Sequence, residues 1–303
     1  MAAGSGTYPV LVVGNAVLDV ILTVDHYPAE DEELRAGSRR LAVGGNAANS
    51  AQVLADLGHR VSLLATLAPD AEGEMLRQER IAAGVDCNRL VRCDRGHTPL
   101  SYILVNTARG TRTIVHHREL NELKLEDFQA LPLTGYAWIH FEGRNVKETG
   151  GMLRHLRQTD YAGRISLEIE KDRPGLDALM PLAELLLFSR VFAEARGHAD
   201  AISLLEAMAG QLPGKAMTCT WGEAGAWARD AQGVIHHVPA HVPPRVVDSL
   251  GAGDVFNAGM IHALLAGSDL AGALDTASRL AGQKVGMHGL RGLADPLNPP
   301  AVA

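Results

Sequence analysis

Short apolar runs alternate along the chain with longer segments whose apolar residues recur at helical spacing. Residues 10–14 (VLVVG), 61–66 (VSLLAT), 137–141 (AWIHF), 165–169 (ISLEI), 185–188 (LLLF) and 216–221 (AMTCTW) are short and rich in β-branched residues or leucine, the signature of buried strands. Between and after them, the spacing predicts helices over 47–57, 73–83, 150–158, 199–209, 254–266 and 270–285. Strands separated by helices give a mostly parallel sheet covered on both faces, so the expected class is α/β.

Two stretches depart from that rhythm. Over 17–43 and again over 98–117, polar and apolar residues alternate, turn signals such as ARG at Ala108 intervene, and no helix of useful length fits. Both read as antiparallel excursions from the main sheet. They are either two ordinary surface hairpins or, because each leads back to a conspicuous polar motif, one small β lid over a site. No repeat or low-complexity tract divides the chain, so a single domain spanning 1–303 with this lid inserted is expected; the proline-containing tail from Ala294 reads as loosely held.

Composition removes several classes of function. With 303 residues, 47% of them hydrophobic, the chain can bury a large core. A net charge of -7 with dispersed arginines offers no footprint for nucleic acid. No window approaches eighteen unbroken apolar residues and the first ten residues lack a signal-peptide pattern, so a cytoplasmic protein without a membrane span is expected. Cys87, Cys93 and Cys219 are an odd number without CxxC spacing and read as reduced filler. The doublets His116–His117 and His236–His237 would point to opposite faces of a strand, so neither can chelate one ion, and no metal ligand is assigned.

Polar residues gather after the predicted strands, where open parallel sheets bind ligands: EGRN at 142–145, EKD at 170–172, SR at 189–190 and GEAG at 222–225. In 44–58 (GGNAANSAQVLADLG) two glycines permit close backbone approach, and Asn46 and Asn49 offer paired donors and acceptors suited to vicinal hydroxyls; an asparagine-capped helix entry is the ordinary alternative. The VVGNAVLDV segment lacks GxGxxG, which removes the main support for a nicotinamide dehydrogenase. Asp19, followed by apolar VIL, is either a turn residue or a carboxylate placed to accept sugar hydroxyls.

The stretch 248–259 (DSLGAGDVFNAG) runs a glycine turn into an apolar helix, with Asp254 at the join. Asp254 can be a helix-start residue that complements the macrodipole. Alternatively, the amides of Gly251, Ala252 and Gly253 form an anion nest with a base beside it. Base and anion repel, so that pairing suits a hydroxyl attacking a phosphoryl group, in which the carboxylate aligns the alcohol and takes its proton late. A depressed aspartate pKa is acceptable in that role.

The two motifs GGNAANSAQVLADLG and DSLGAGDVFNAG, some two hundred residues apart, resemble the paired signatures of the ribokinase family, the PfkB carbohydrate kinases. VGNAVLDVILTVDHYP, LAVGGNAANS, HTPLSYILVN, RGTRTIVHH, WIHFEGRN, LEIEK and PPRVVDSLGAGDVFNA extend the likeness over nearly the whole chain, most closely to the ketohexokinase branch. The resemblance implies a three-layer αβα sandwich with a small β lid, and transfer of the γ-phosphate of ATP to a sugar hydroxyl, fructose being the first candidate. Another sugar, a nucleoside, or a silent sensor are the alternatives. By the same resemblance Asp254 is the base and Gly251, Ala252 and Gly253 the anion hole. Asp19, Gly45, Asn46 and Asn49 hold the sugar, with Arg112 reaching sugar or phosphate. Gly222, Glu223, Gly225, Phe256, Ser278 and Ala281 border the nucleotide, and Glu142, Arg144 and Lys171 line the phosphate channel. An NxxE element found in many relatives is replaced by SRVF at 189–192, as in the ketohexokinase branch, so Mg2+ is expected to be held by ATP phosphates and water. A homodimer through the lid is the partner the resemblance implies.

Overall fold

A computed structural model describes residues 7–293. In chain order its strands are β1 (Pro9–Val13), β2 (Val17–Val24), β3 (Ser38–Gly44), β4 (Arg60–Leu64), β5 (Thr66–Leu67), β6 (Val91–Arg92), β7 (Leu100–Asn106), β8 (Thr111–His117), β9 (Trp138–Glu142), β10 (Arg164–Ile169), β11 (Leu185–Ser189), β12 (Ala216–Thr220), β13 (Ala226–Arg229) and β14 (Ile235–Val238). The helices are α1 (Asn46–Asp56), α2 (Ala71–Ala82), α3 (Leu125–Gln129), α4 (Val146–Arg157), α5 (Arg190–Ala195), α6 (Ala201–Gln211), α7 (Ala252–Leu265) and α8 (Leu270–Val285).

The main sheet runs β14-β13-β12-β11-β10-β9-β1-β4, with parallel pairing from β4 through β12 and antiparallel β13 and β14 at one edge. Every predicted strand belongs to it. The two-residue side-chain period sorts β1 between two cores: Val10 and Val12 join residues of α1, α7 and α8, whereas Leu11 and Val13 join residues of α4 and α6. Burial on both faces explains why β1 and β11 read as continuous apolar runs. The result is three layers, helices on sheet on helices. In α7 every residue from Asp254 to Ala263 is buried, and its Gly259 lets the backbone of Ala277 on α8 come so close that a Cβ would stand 2.8 Å from the Ala277 Cα.

The segments 17–43 and 98–117 form one second sheet, ordered β3-β2-β7-β8. Each hairpin is antiparallel as expected, but β2 and β7 join them in parallel, Leu18 opposite Leu100. One face, bearing Asp19, Arg40, Ser101, Arg112 and His116, lines a cavity against the main sheet. The other bears Tyr102 and Val115, both exposed.

Several boundaries differ from the sequence reading, and caps account for part of this. Asp70 accepts from the Gly73 amide at 2.8 Å and starts α2 at Ala71, while Asp200 accepts from Ser203 at 2.7 Å and starts α6 at Ala201. Helix α7 begins at Ala252, two residues before the expected start, because Gly251 turns the chain at φ 79°. The short helices α3 and α5 and the edge strands β13 and β14 were not expected; they are brief and only partly apolar. All three cysteines are free thiols, Cys87 and Cys219 buried. The tail from Ala294 lies outside the described residues.

Candidate active site

The carboxyl ends of β9, β10, β11 and β12, the entry to α1, the entry to α7 and the inner face of the second sheet enclose a cavity of about 440 Å³. Asp19, Gly45, Asn46, Asn49, Arg112, Glu142, Arg144, Lys171, Gly251, Ala252, Gly253 and Asp254 all line it. The βα-end accumulation of polar residues is thus spatial, with Glu142, Glu170, Ser189 and Thr220 standing at the carboxyl ends of four adjacent strands.

The two glycines entering α1 have separate reasons. A Cβ on Gly44 would overlap the Asp19 carboxylate, so the missing side chain is the space Asp19 occupies. Gly45 turns at φ 94°, where a Cβ would meet the Asn15 carbonyl oxygen at 2.5 Å. Asp19 sits within β2 rather than in a turn. Burial raises its pKa from 3.8 to about 6, opposed by the Ser101 hydroxyl and the charge of Arg40.

Carboxylates accept but do not donate, so they orient the neighbouring amides. Asn46 Nδ2 donates to Glu168 Oε1 at 3.1 Å and to Glu170 Oε2 at 3.4 Å; Asn49 Nδ2 donates to Asp254 Oδ2 at 2.7 Å. The Asn49 carbonyl oxygen is buried without a protein partner. An acceptor left open beside acidic groups calls for a ligand with hydroxyl hydrogens to give.

Asp254 lies in the first turn of α7, 7% exposed, behind the left-handed Gly251 and the amides of Ala252 and Gly253. A Cβ on Gly253 would point into open space, so the backbone is approachable from that side. The depressed pKa considered for Asp254 is not found. Burial raises it well above the aspartate range, and the nearby charges of Glu142, Glu170 and Asp19 add to the rise, while the Asn49 amide works against it. Glu142, which accepts from the Asn15 amide at 2.8 Å, and Glu168 are raised by burial as well.

Cations stand at the more open side. Arg112 donates to Ser249 Oγ at 2.7 Å, Arg40 pairs with Asp248 at 3.3 Å, Arg144 donates to Glu122 at 3.0 Å, and Lys171 is exposed. Buried acceptors beneath exposed cations suit a polyol and a polyanion meeting at one point.

The expected nucleotide-side residues lie outside this cavity's lining. Gly222, Glu223 and Gly225 form a tight turn after β12, closed by the Trp221 amide donating to the Gly225 carbonyl at 2.8 Å. Phe256 is packed in the core, Ser278 is buried on α8 with its hydroxyl unpartnered, and Ala281 packs partly buried against the same core. At the position of the replaced NxxE element, Ser189 caps α5 by accepting from Phe192. Sequence reading missed Asn15, Arg40, Ser101, Glu168, Asp248 and Asn257, which also line the cavity. Glu168 had a signal: it stands inside an apolar strand, two residues before Glu170 and so on the same face.

A family model described as pfkB family carbohydrate kinase matches residues 9–296. The chain belongs to the pfkB family of carbohydrate kinases. It is 37% identical over 292 residues to ketohexokinase of Mus musculus, covering 94% of this chain and 98% of that one. Among solved structures, the ribokinase of Arabidopsis thaliana complexed with ribose and ATP superposes with a TM-score of 0.79 at 19% identity, covering 97% and 96% of the two chains. Adenosine kinase from Sinorhizobium meliloti gives 0.80 at 24%, covering 96% and 97%. The pfkB sandwich is therefore this chain's fold, and the ribokinase-like three-layer architecture with a smaller sheet is as expected.

Proposed function

We propose that this pfkB kinase transfers the γ-phosphate of ATP to the 1-hydroxyl of a ketohexose, with fructose as the substrate. The observation that carries the reading is the buried Asp254 carboxylate, held by Asn49 at the start of a helix whose opening amides follow a left-handed glycine. The likeness to mouse ketohexokinase supports the choice of sugar.

In this reading the carboxylate of Asp19 and the oriented carbonyl groups of Asn46 and Asn49 accept sugar hydroxyl hydrogens, and the Gly45 backbone approaches closely. The 1-hydroxyl oxygen attacks the γ-phosphorus, the bond from phosphorus to the ADP oxygen breaks, and Asp254 takes the hydroxyl proton. Gly251, Ala252 and Gly253 present amides to the migrating charge, with Arg112 released from Ser249 to join them. Arg144 and Lys171 flank the phosphates, and Glu142 lines the channel. Gly222, Glu223, Gly225, Phe256, Ser278 and Ala281 belong to the nucleotide side, Phe256 by supporting it from the core. The partly exposed Glu170 carboxylate beside Lys171 would be a fitting partner for the hydration shell of a nucleotide-bound magnesium ion, which would supply neutralisation of phosphate charge.

Two further parts of the reading concern assembly and compartment. The second sheet acts as a lid, and its outer face, carrying exposed Tyr102 and Val115, pairs two copies into a homodimer. A cytoplasmic location agrees with three free thiols, and no helix among the described residues is long and apolar enough to cross a membrane.

The test is ADP release from MgATP with a panel of ketoses, aldoses and nucleosides. Fructose-led turnover that Asp254→Asn abolishes supports the reading. Turnover led by a nucleoside overturns the sugar, and no acceptor-dependent turnover overturns the kinase.

A further inference from the structure

Lys284, on α8, is fully buried. A buried ammonium is strongly unfavourable unless oxygen atoms replace its water. Here Nζ donates to the Asp248 carbonyl at 2.7 Å and the Met287 carbonyl at 3.3 Å, and stands 3.4 Å from Asp248 Oδ2. Burial lowers the Lys284 pKa and the charge of Asp248 opposes that drop. A methionine would fill such a core position without the charge, but would leave the Asp248 carbonyl without its closest donor.

Asp248 is a hub. Its Oδ1 accepts from the Leu250 amide at 2.9 Å, and its Oδ2 receives Arg40 at 3.3 Å and the Gly289 amide at 3.5 Å. The Val247 and Asp248 amides both donate to the Val285 carbonyl, at 2.8 and 3.2 Å, so α8 grips this strand of chain through main chain and side chain together. Immediately beyond come Leu250, the left-handed Gly251 and the first amides of α7. Both ends of the turn are thereby fixed, one by α8 and the other by the helix it opens.

We infer that Lys284 is a positioning residue for the anion hole: its ammonium, a built-in counter-cation, fixes Asp248 and through it the turn that aims the amides of Gly251, Ala252 and Gly253. The inference rests on the kinase reading, since it is a migrating phosphoryl charge that those amides would meet. Lys284 lies outside the cavity lining, so its effect is on aim and not on substrate contact.

The experiment compares wild type, Lys284→Met and Asp248→Asn in steady-state kinetics, thermal melting and amide exchange of the 248–254 segment. Misaiming a reacting group by about 1 Å costs on the order of 100-fold in rate. Lys284→Met is therefore expected to lower kcat about 10- to 100-fold, to leave the KM for sugar nearly unchanged and to speed exchange across 248–254. Asp248→Asn is expected to do the same to a smaller degree. Wild-type kcat in a folded Lys284→Met protein overturns the inference, as does a rate loss that disappears when the proteins are compared at equal distance below their melting temperatures. If Lys284→Met does not fold, wild-type kcat and exchange in Asp248→Asn overturn it. If wild type itself turns over no acceptor, the kinase reading fails separately, and unchanged exchange at 248–254 in the variants still overturns the role of Lys284.

Discussion

Replacing Asp19 by asparagine should make the protein more stable and its sugar affinity worse, with a pH dependence that the structure fixes. Burial lifts the Asp19 pKa from 3.8 to about 6, so the folded chain binds a proton that the unfolded chain has released between those two values. A raised carboxyl pKa contributes stability that is complete below about 3.8 and is lost as pH rises through about 6. The loss is about 1.5 kcal/mol at pH 5 and about 3 kcal/mol at pH 7.5. Asp19→Asn does not titrate, so the stability difference between variant and wild type should grow by about 1.5 kcal/mol between those pH values. Urea unfolding of both proteins at pH 5 and 7.5, without ligand, measures it, and identical pH dependence in the two would refute the reasoning. In the same variant the sugar KM should rise about 10- to 100-fold at pH 7.5, since hydrogen bonds to a charged group contribute about 1.5–3 kcal/mol. The wild-type KM should itself rise as pH falls below about 6, where Asp19 becomes protonated.

Asp254→Asn should lower kcat by at least about 100-fold, the scale of a lost general base, while calorimetry finds sugar binding within a few-fold of wild type. Because burial raises the Asp254 pKa, kcat/KM should fall on the acid side at a pH well above the ordinary aspartate value, and a limb near pH 4 would contradict this environment. Gly251→Ala should reduce kcat more than sugar affinity, because φ 79° disfavours alanine and its Cβ would stand 3.1 Å from Leu290; unchanged kcat would argue against the nest. Val115→Glu, on the outer face of the second sheet, should shift a dimer to a monomer in light scattering, and a wild type that is already monomeric would refute the lid-paired homodimer.

The main sheet was legible because parallel strands buried on both faces leave apolar runs, as β1 and β11 do. The edge strands β13 and β14 carry no such run and were invisible. The second sheet showed its hairpins through alternation, but not that β2 and β7 pair in parallel, because a contact between segments some eighty residues apart leaves no local pattern. At the site, glycines and acids at helix entries drew attention to Gly45, Asn46, Asn49 and Asp254. Glu168 and Asp248 act through tertiary partners, Asn46 and Asn257 for one and Lys284 and Arg40 for the other, and spacing cannot encode those meetings. The raised pKa of Asp254 likewise follows from its burial in the folded chain, to which the carboxylates brought together by folding add.

The most direct test of the central claim is NMR of the product formed from fructose and MgATP. Phosphate on carbon 1, formed by wild type and absent with Asp254→Asn, is the predicted result. Phosphate on another carbon, or an unchanged yield from the variant, would contradict the account.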